Sequence, residues 1–268
     1  MRRTALFAAT ALAAASLAAC GDSASPSSGG QMNFNVATRP AAPTAAVSAA
    51  MSPSLVTAGT PETFTDGTNT LIIDQVQLVL REIELKRVEA TTACGESSGD
   101  ACEKLELGPI LLDLPLGGAG GAARTFSVAV DTGTFGEVEF EIHKPSDDDG
   151  SDAAFLQAHP EMAGASVKVT GSFNGTPFSF SSDLDAEEEI ELSPPLVATE
   201  AAATDLTLLV DLDRWFRDAA NGLVDPASAN SGGANESLVE HNIQSTLHAF
   251  EDEDHDGSDD HGGDSSHD

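Results

Sequence analysis

Asp131-Thr132-Gly133-Thr134, entered from the apolar run Val128-Ala129-Val130, spells the signature that aspartic proteases place around a catalytic carboxylate. That chemistry needs two carboxylates about 3 Å apart sharing one proton, so a chain must carry two such motifs or dimerise around one. Only Asp131 stands in this context, and "LTLLVDL" at 206–212 offers no glycine for a companion motif. The same letters make a good strand-to-strand connection, with an Asp that can bond its own backbone and a Gly that eases the turn. The turn is the reading adopted.

The C-terminal stretch "FEDEDHDGSDDHGGDSSHD" opens like a calcium loop. Asp252, Asp254 and Asp256 fall at positions 1, 3 and 5, Gly257 at 6, Ser258 at 7 and Asp260 at 9. Gly263 replaces the bidentate Glu at position 12, and no apolar exiting helix follows. Calcium is therefore expected to bind weakly, at roughly millimolar level, as in extracellular modules. His255, His261 and His267 add nitrogen donors for softer metals. The simpler reading is a disordered acidic tail that aids solubility.

A third group is Glu141, His143 and Lys144 in "EIHKP", followed by the acidic loop "SDDDGSD", with His159 placed to approach. A His–carboxylate cluster can hold metal, but a solvated loop beside a strand end is the commoner outcome. No serine lies in a nucleophile-elbow or Ser-x-x-Lys context, so a hydrolase ranks a distant third. The chain is read as a non-enzyme.

The chain has 268 residues and a net charge of −32, from 44 acidic against 12 basic residues. Such a field repels nucleic acid and attracts cations. Arg2 and Arg3, the apolar run from Ala5 and the small residues before Cys20 form a secretion signal over residues 1–19. Leu17-Ala18-Ala19-Cys20 resembles the lipobox of bacterial lipoproteins. That resemblance implies a lipid on Cys20, membrane attachment through it and, with Gly21 next, sorting to the outer membrane, on its periplasmic or surface side. Cys94 and Cys102 remain, and in an oxidising compartment they are expected to form a disulfide pinning a hairpin tip.

Residues 20–61, rich in Ser, Pro and Ala, read as a tether, with "MNFNVA" at 32–37 as a piece that joins a sheet edge. A β domain is expected over 62–250, and residues 251–268 as an acidic, His-rich tail. "TLIIDQVQLVLREIELKRVE" at 70–89 favours a strand whose buried phase switches near Leu80, although a helix also fits. "GEVEFEI" alternates strictly, and Asn174-Gly175 marks a type I′ hairpin. "DLDAEEEIEL" at 183–192 reads as an exposed edge that discourages further pairing. Short helices are expected at 152–159, 212–222 and 235–250.

"VQLVLREIEL", "GTFGEVEFEIHKP", "GSFNGTPFSF" and "LTLLVDLDRWF" resemble a group of uncharacterised bacterial lipoproteins carrying a β-sandwich domain. The expected fold is an all-β sandwich, immunoglobulin-like or transthyretin-like, with a few peripheral helices. The expected function is a non-enzymatic envelope module that binds a protein or glycan partner. The alternative is a divalent-cation binder using the tail and the 147–152 loop.

Overall fold

The computed structural model describes residues 29–39, 60–88, 102–105, 107–117, 123–255, 257 and 259, without the side chains of 102–104 and 124. Two β-sheets share one apolar core. The smaller has the order β12-β11-β1-β6, with β1 at Gly29–Thr38, β6 at Ala123–Asp131, β11 at Ala203–Val210 and β12 at Leu247–Glu251. The larger runs β10-β7-β3-β8-β9, with β3 at Thr70–Arg87, β7 at Gly133–Ile142, β8 at Val167–Phe173, β9 at Thr176–Ser182 and β10 at Ala186–Ala198. Short strands β2 (Glu62–Thr65), β4 (Cys102–Leu105) and β5 (Ile110–Asp113) also pair with β3. No described helix is long and apolar enough to cross a membrane.

The long strand β3 organises the larger sheet, and its pattern was readable. Leu71 and Ile73 point into the core, Val76, Leu78 and Leu80 do so after a one-residue change of phase where the pairing with β8 slips between Ile73 and Gln75, and Ile83 and Leu85 do so after a second. The second change, the one legible in the sequence, falls where the pairing with β7 slips between Arg81 and Glu84, with Glu82 at φ 52°. A bulge is the physical device that lets one strand keep its apolar face inward through a change of phase. Where β8 crosses β3, a Cβ on Gly171 would lie 2.0 Å from the Ile72 carbonyl oxygen. Gly171→Ala should therefore force the two strands apart at an overpacking cost of about 1–3 kcal/mol, read by urea unfolding. An unchanged midpoint would show that the crossing has slack. Asn174 and Gly175 both adopt positive φ, 51° and 78°, and close the β8–β9 hairpin as the sequence indicated.

Three expectations need correction. Residues 29–38 are not a tether with an edge strand: β1 lies inside the smaller sheet, parallel to β11 and antiparallel to β6. Met32, Phe34 and Val36 face the core, while Asn33 and Asn35 donate from their other face to Asp205 at 2.8 and 3.3 Å. Six apolar and amide residues suffice once both neighbouring strands are supplied from distant sequence. The helix expected at 235–250 is α2, Glu236–Gln244, which ends well short. Thr246 Oγ1 donates back to the last turn and accepts from buried Trp215 Nε1–H at 3.0 Å, and Leu247 then starts β12 beside β11. At 212–222 only Leu212–Arg214 forms a 3-10 turn, because Arg217 and Leu223 bridge in antiparallel fashion and Asn221 takes φ 66°. The first expected helix is present as α1, Ala153–Ala158.

Candidate metal centre

Alternation along β7 buries Val138, Phe140 and Ile142 and turns Glu137, Glu139 and Glu141 to the outer face. His143 follows one residue past the strand end on the side of Glu141. Its backbone N–H donates to the Val79 carbonyl at 3.0 Å, which holds it against β3. The 145–152 loop then folds back over the imidazole. Loop and helix are fixed there by Phe155 and Met162, which pack with Val79 in a small apolar cluster on this outer face.

Asp152 occupies the N-cap position of α1, yet its side chain makes no capping bond. The carboxylate turns to His143 instead, with both oxygens 2.9 Å from Nε2. It also accepts from the Ser146 backbone N–H at 2.8 Å. Asp152 is fully buried and His143 is 4% exposed. A carboxylate only accepts, so this contact places a proton on Nε2 and, in the neutral ring, leaves a lone pair on Nδ1. Nδ1 is buried without a hydrogen-bond partner. It faces Glu141, whose Oε1 lies 3.5 Å away.

Glu141, His143 and Asp185 each offer one ligand atom, all within 4.8 Å of one another. Burial pushes the Glu141 carboxyl above the ordinary glutamate range; Arg81 opposes this and the bond to Asp185 adds to it. Arg81 holds Glu141 with two bonds, at 2.9 and 3.2 Å, and also reaches Asp149 at 3.2 Å. The arrangement is a nitrogen donor oriented by a buried carboxylate beside two carboxylate oxygens on an open side. Proteins orient metal-ligating histidines in this way, with the far ring nitrogen donating to a carboxylate. Lys144 pairs with exposed Asp183 and points away. His159 lies against Glu161 instead of joining the group. Two further acidic groups, Glu137–Glu139–Glu189 and Asp183–Glu236–Glu240, have no buried unpaired donor aimed into them.

Carboxylates continue down the same face. Glu139 is flanked in register by Glu84 on β3 and Glu189 on β10, a rung of three acids, and β10 is the sheet edge that the sequence indicated. Like charges directly opposite one another destabilise a sheet. Burial first, and then Glu84, Glu187, Glu189 and Glu137, raise the Glu139 carboxyl; burial also raises Glu188. A carboxyl raised on folding binds its proton more tightly in the native state, so its contribution to stability falls as pH rises from the ordinary glutamate pKa through the raised value. Asp66 and Asp149 act oppositely, held low first by backbone N–H groups of Asn69 and Ser151. Their contribution is lost as pH falls from the ordinary aspartate pKa through those depressed values. Stability should therefore peak in mild acid, above the range where Asp66 and Asp149 titrate, and decline towards neutrality. Thermal unfolding across pH 3 to 8 checks this, and a maximum at neutral pH would contradict it.

The tail site is placed only in part. Asp252 is fully buried beside β11, where its Oδ2 accepts from Thr207 Oγ1 at 3.2 Å and from the Gly257 N–H at 3.1 Å. It therefore belongs to the fold, as Glu251 does in β12, and the tail boundary expected at 251 shifts. Asp254 is exposed. Asp256, Ser258 and Asp260 lie outside the described residues, as do Cys20, Cys94 and the side chain of Cys102. Asp131 is exposed at the corner where β6 passes into β7.

What the sequence missed is the role of Asp185 and, above all, that of Asp152. Its signal was an Asp at a helix start nine residues after a histidine, indistinguishable by type from an ordinary cap.

No family model matches the chain, and no curated protein matches it. Among solved structures it is similar to MbnP from Methylosinus trichosporium, at 11% identity over 71% of this chain and 78% of that one. The TM-score of 0.34 is too low to carry an argument.

Proposed function

We propose that this chain is a lipid-anchored envelope protein whose β domain binds a divalent cation through His143, Glu141 and Asp185. One observation carries the cation reading: the buried, unpartnered Nδ1 of His143, oriented by Asp152 and facing two carboxylates. A nitrogen donor with two carboxylates suits zinc, manganese or iron(II) better than calcium, which takes oxygen ligands. Three protein ligands leave coordination positions for water or a partner's donor group. Calorimetric titration with zinc and manganese tests it. His143→Gln should remove binding, Asp185→Asn should weaken it, and a chain ending at Gly257 should bind as the full one does. Equal heats from wild type and His143→Gln would sink the assignment.

Calcium in the tail is a second reading, favoured by the Gly257 N–H bond to Asp252, a contact made between positions 6 and 1 of the expected loop. Anchoring rests on the lipobox, and Cys20→Ala should yield an unacylated chain that leaves the membrane fraction. The Cys94–Cys102 bond rests on the compartment that the signal implies. An immunoglobulin-like or transthyretin-like type for the sandwich is our finer assignment, supported by the parallel β1–β11 pair and the passage of the chain between sheets at Asp131–Gly133.

A further inference from the structure

One end of the domain gathers four features. β1 begins there, with Gly29 paired to Asp131 and Gly30 packed against the Thr199 backbone. The Asp131–Thr134 corner lies beside it, with Arg87 donating to the Thr132 carbonyl at 3.0 Å and stacked on Phe135. Val88 donates its N–H to Thr134, and Val197 pairs with Thr134 across the sheet. Val88 and Val197, 54% and 49% exposed, are the exposed large hydrophobics among the described residues, and both flank this one corner.

The anchor attaches at the same end. Nine residue steps separate Cys20 from Gly29, which can span at most about 30 Å. β7 runs for ten residues away from this end to His143, about 30 Å at strand rise. The connection is therefore at most about as long as the domain. It brings the Val88–Val197 end to the bilayer surface and reaches the opposite end only when stretched out.

We infer that the Val88–Val197 end of the sandwich rests on the lipid surface that holds Cys20, so that the Glu141–His143–Asp185 centre faces away from the membrane. This rests on the anchoring reading above. Exposed Asp131 on the same corner disfavours anionic lipid, so the contact is with zwitterionic head groups and the acyl boundary beneath them.

Trp215 is the single tryptophan and is fully buried, so an added indole reports its own surroundings over a constant background. Mature acylated protein carrying Val197→Trp, Val88→Trp or Asp148→Trp is reconstituted in phosphatidylcholine–phosphatidylethanolamine vesicles with brominated acyl chains. Quenching of the Val197→Trp and Val88→Trp indoles, with Asp148→Trp at the far end unaffected, is the expected result. Vesicle-bound protein with neither near-end indole quenched, or with Asp148→Trp quenched more, overturns the orientation. Failure of the wild type to be acylated and to sediment with vesicles removes the anchor itself, and this contact with it.

Discussion

Asp152→Ala should weaken divalent-cation binding by about 10- to 100-fold, the range typical for loss of a group that orients a metal-ligating histidine. The same change should lower stability by about 1–3 kcal/mol or more, because it removes a buried acceptor and leaves its donor unsatisfied. That donor is the Nε2–H of His143, and the Ser146 backbone N–H loses its acceptor as well. Asp152→Asn keeps the volume and one carbonyl oxygen to accept from Nε2, so both losses should be smaller. Paired chemical-denaturation curves and zinc titrations on the two variants separate the effects. Unchanged affinity in Asp152→Ala would mean that the ion does not sit on His143.

Phe34→Ala should cost about 3–5 kcal/mol, the loss expected for emptying a buried aromatic site. Phe34 is 1% exposed and stacks on Phe126 at 5.0 Å with the rings 7° apart. Its strand is hydrogen-bonded on both sides, so the cavity has little freedom to collapse. Were 29–38 a tether, the substitution would be silent. Urea unfolding decides between the two, and a change under about 0.5 kcal/mol, the size typical of surface substitutions, would remove β1 from the core.

Local patterning was legible wherever one strand carried its own signal. The Glu137–Ile142 alternation, the Asn174-Gly175 turn and the change of phase near Leu80 in β3 each follow from side-chain period or from backbone tolerance at single residues. Illegible were the elements whose identity depends on partners far away in sequence. β1 needs β6 and β11, roughly 90 and 170 residues on, and β12 is a strand because β11 presents a free edge to Leu247–Glu251. "LHAF" by itself continues a helical face as readily as it makes a strand. Glu141 and His143 were visible as donors at one strand end, but the role of Asp152 came from the fold. So did Asp185, which the β7–β10 pairing brings level with them, since Ala186 stands opposite Ile142. The tail motif, conspicuous in sequence, puts its first carboxylate into the sheet.

Pulsed electron paramagnetic resonance on the copper(II)-loaded full chain tests the central claim most directly, because it counts histidine nitrogens bound to the ion. The predicted spectrum shows a single coordinated imidazole, lost in His143→Gln and retained when the chain ends at Gly257. A coordinated imidazole that persists in His143→Gln, or coordination by oxygen alone, would contradict a metal centre at the end of β7.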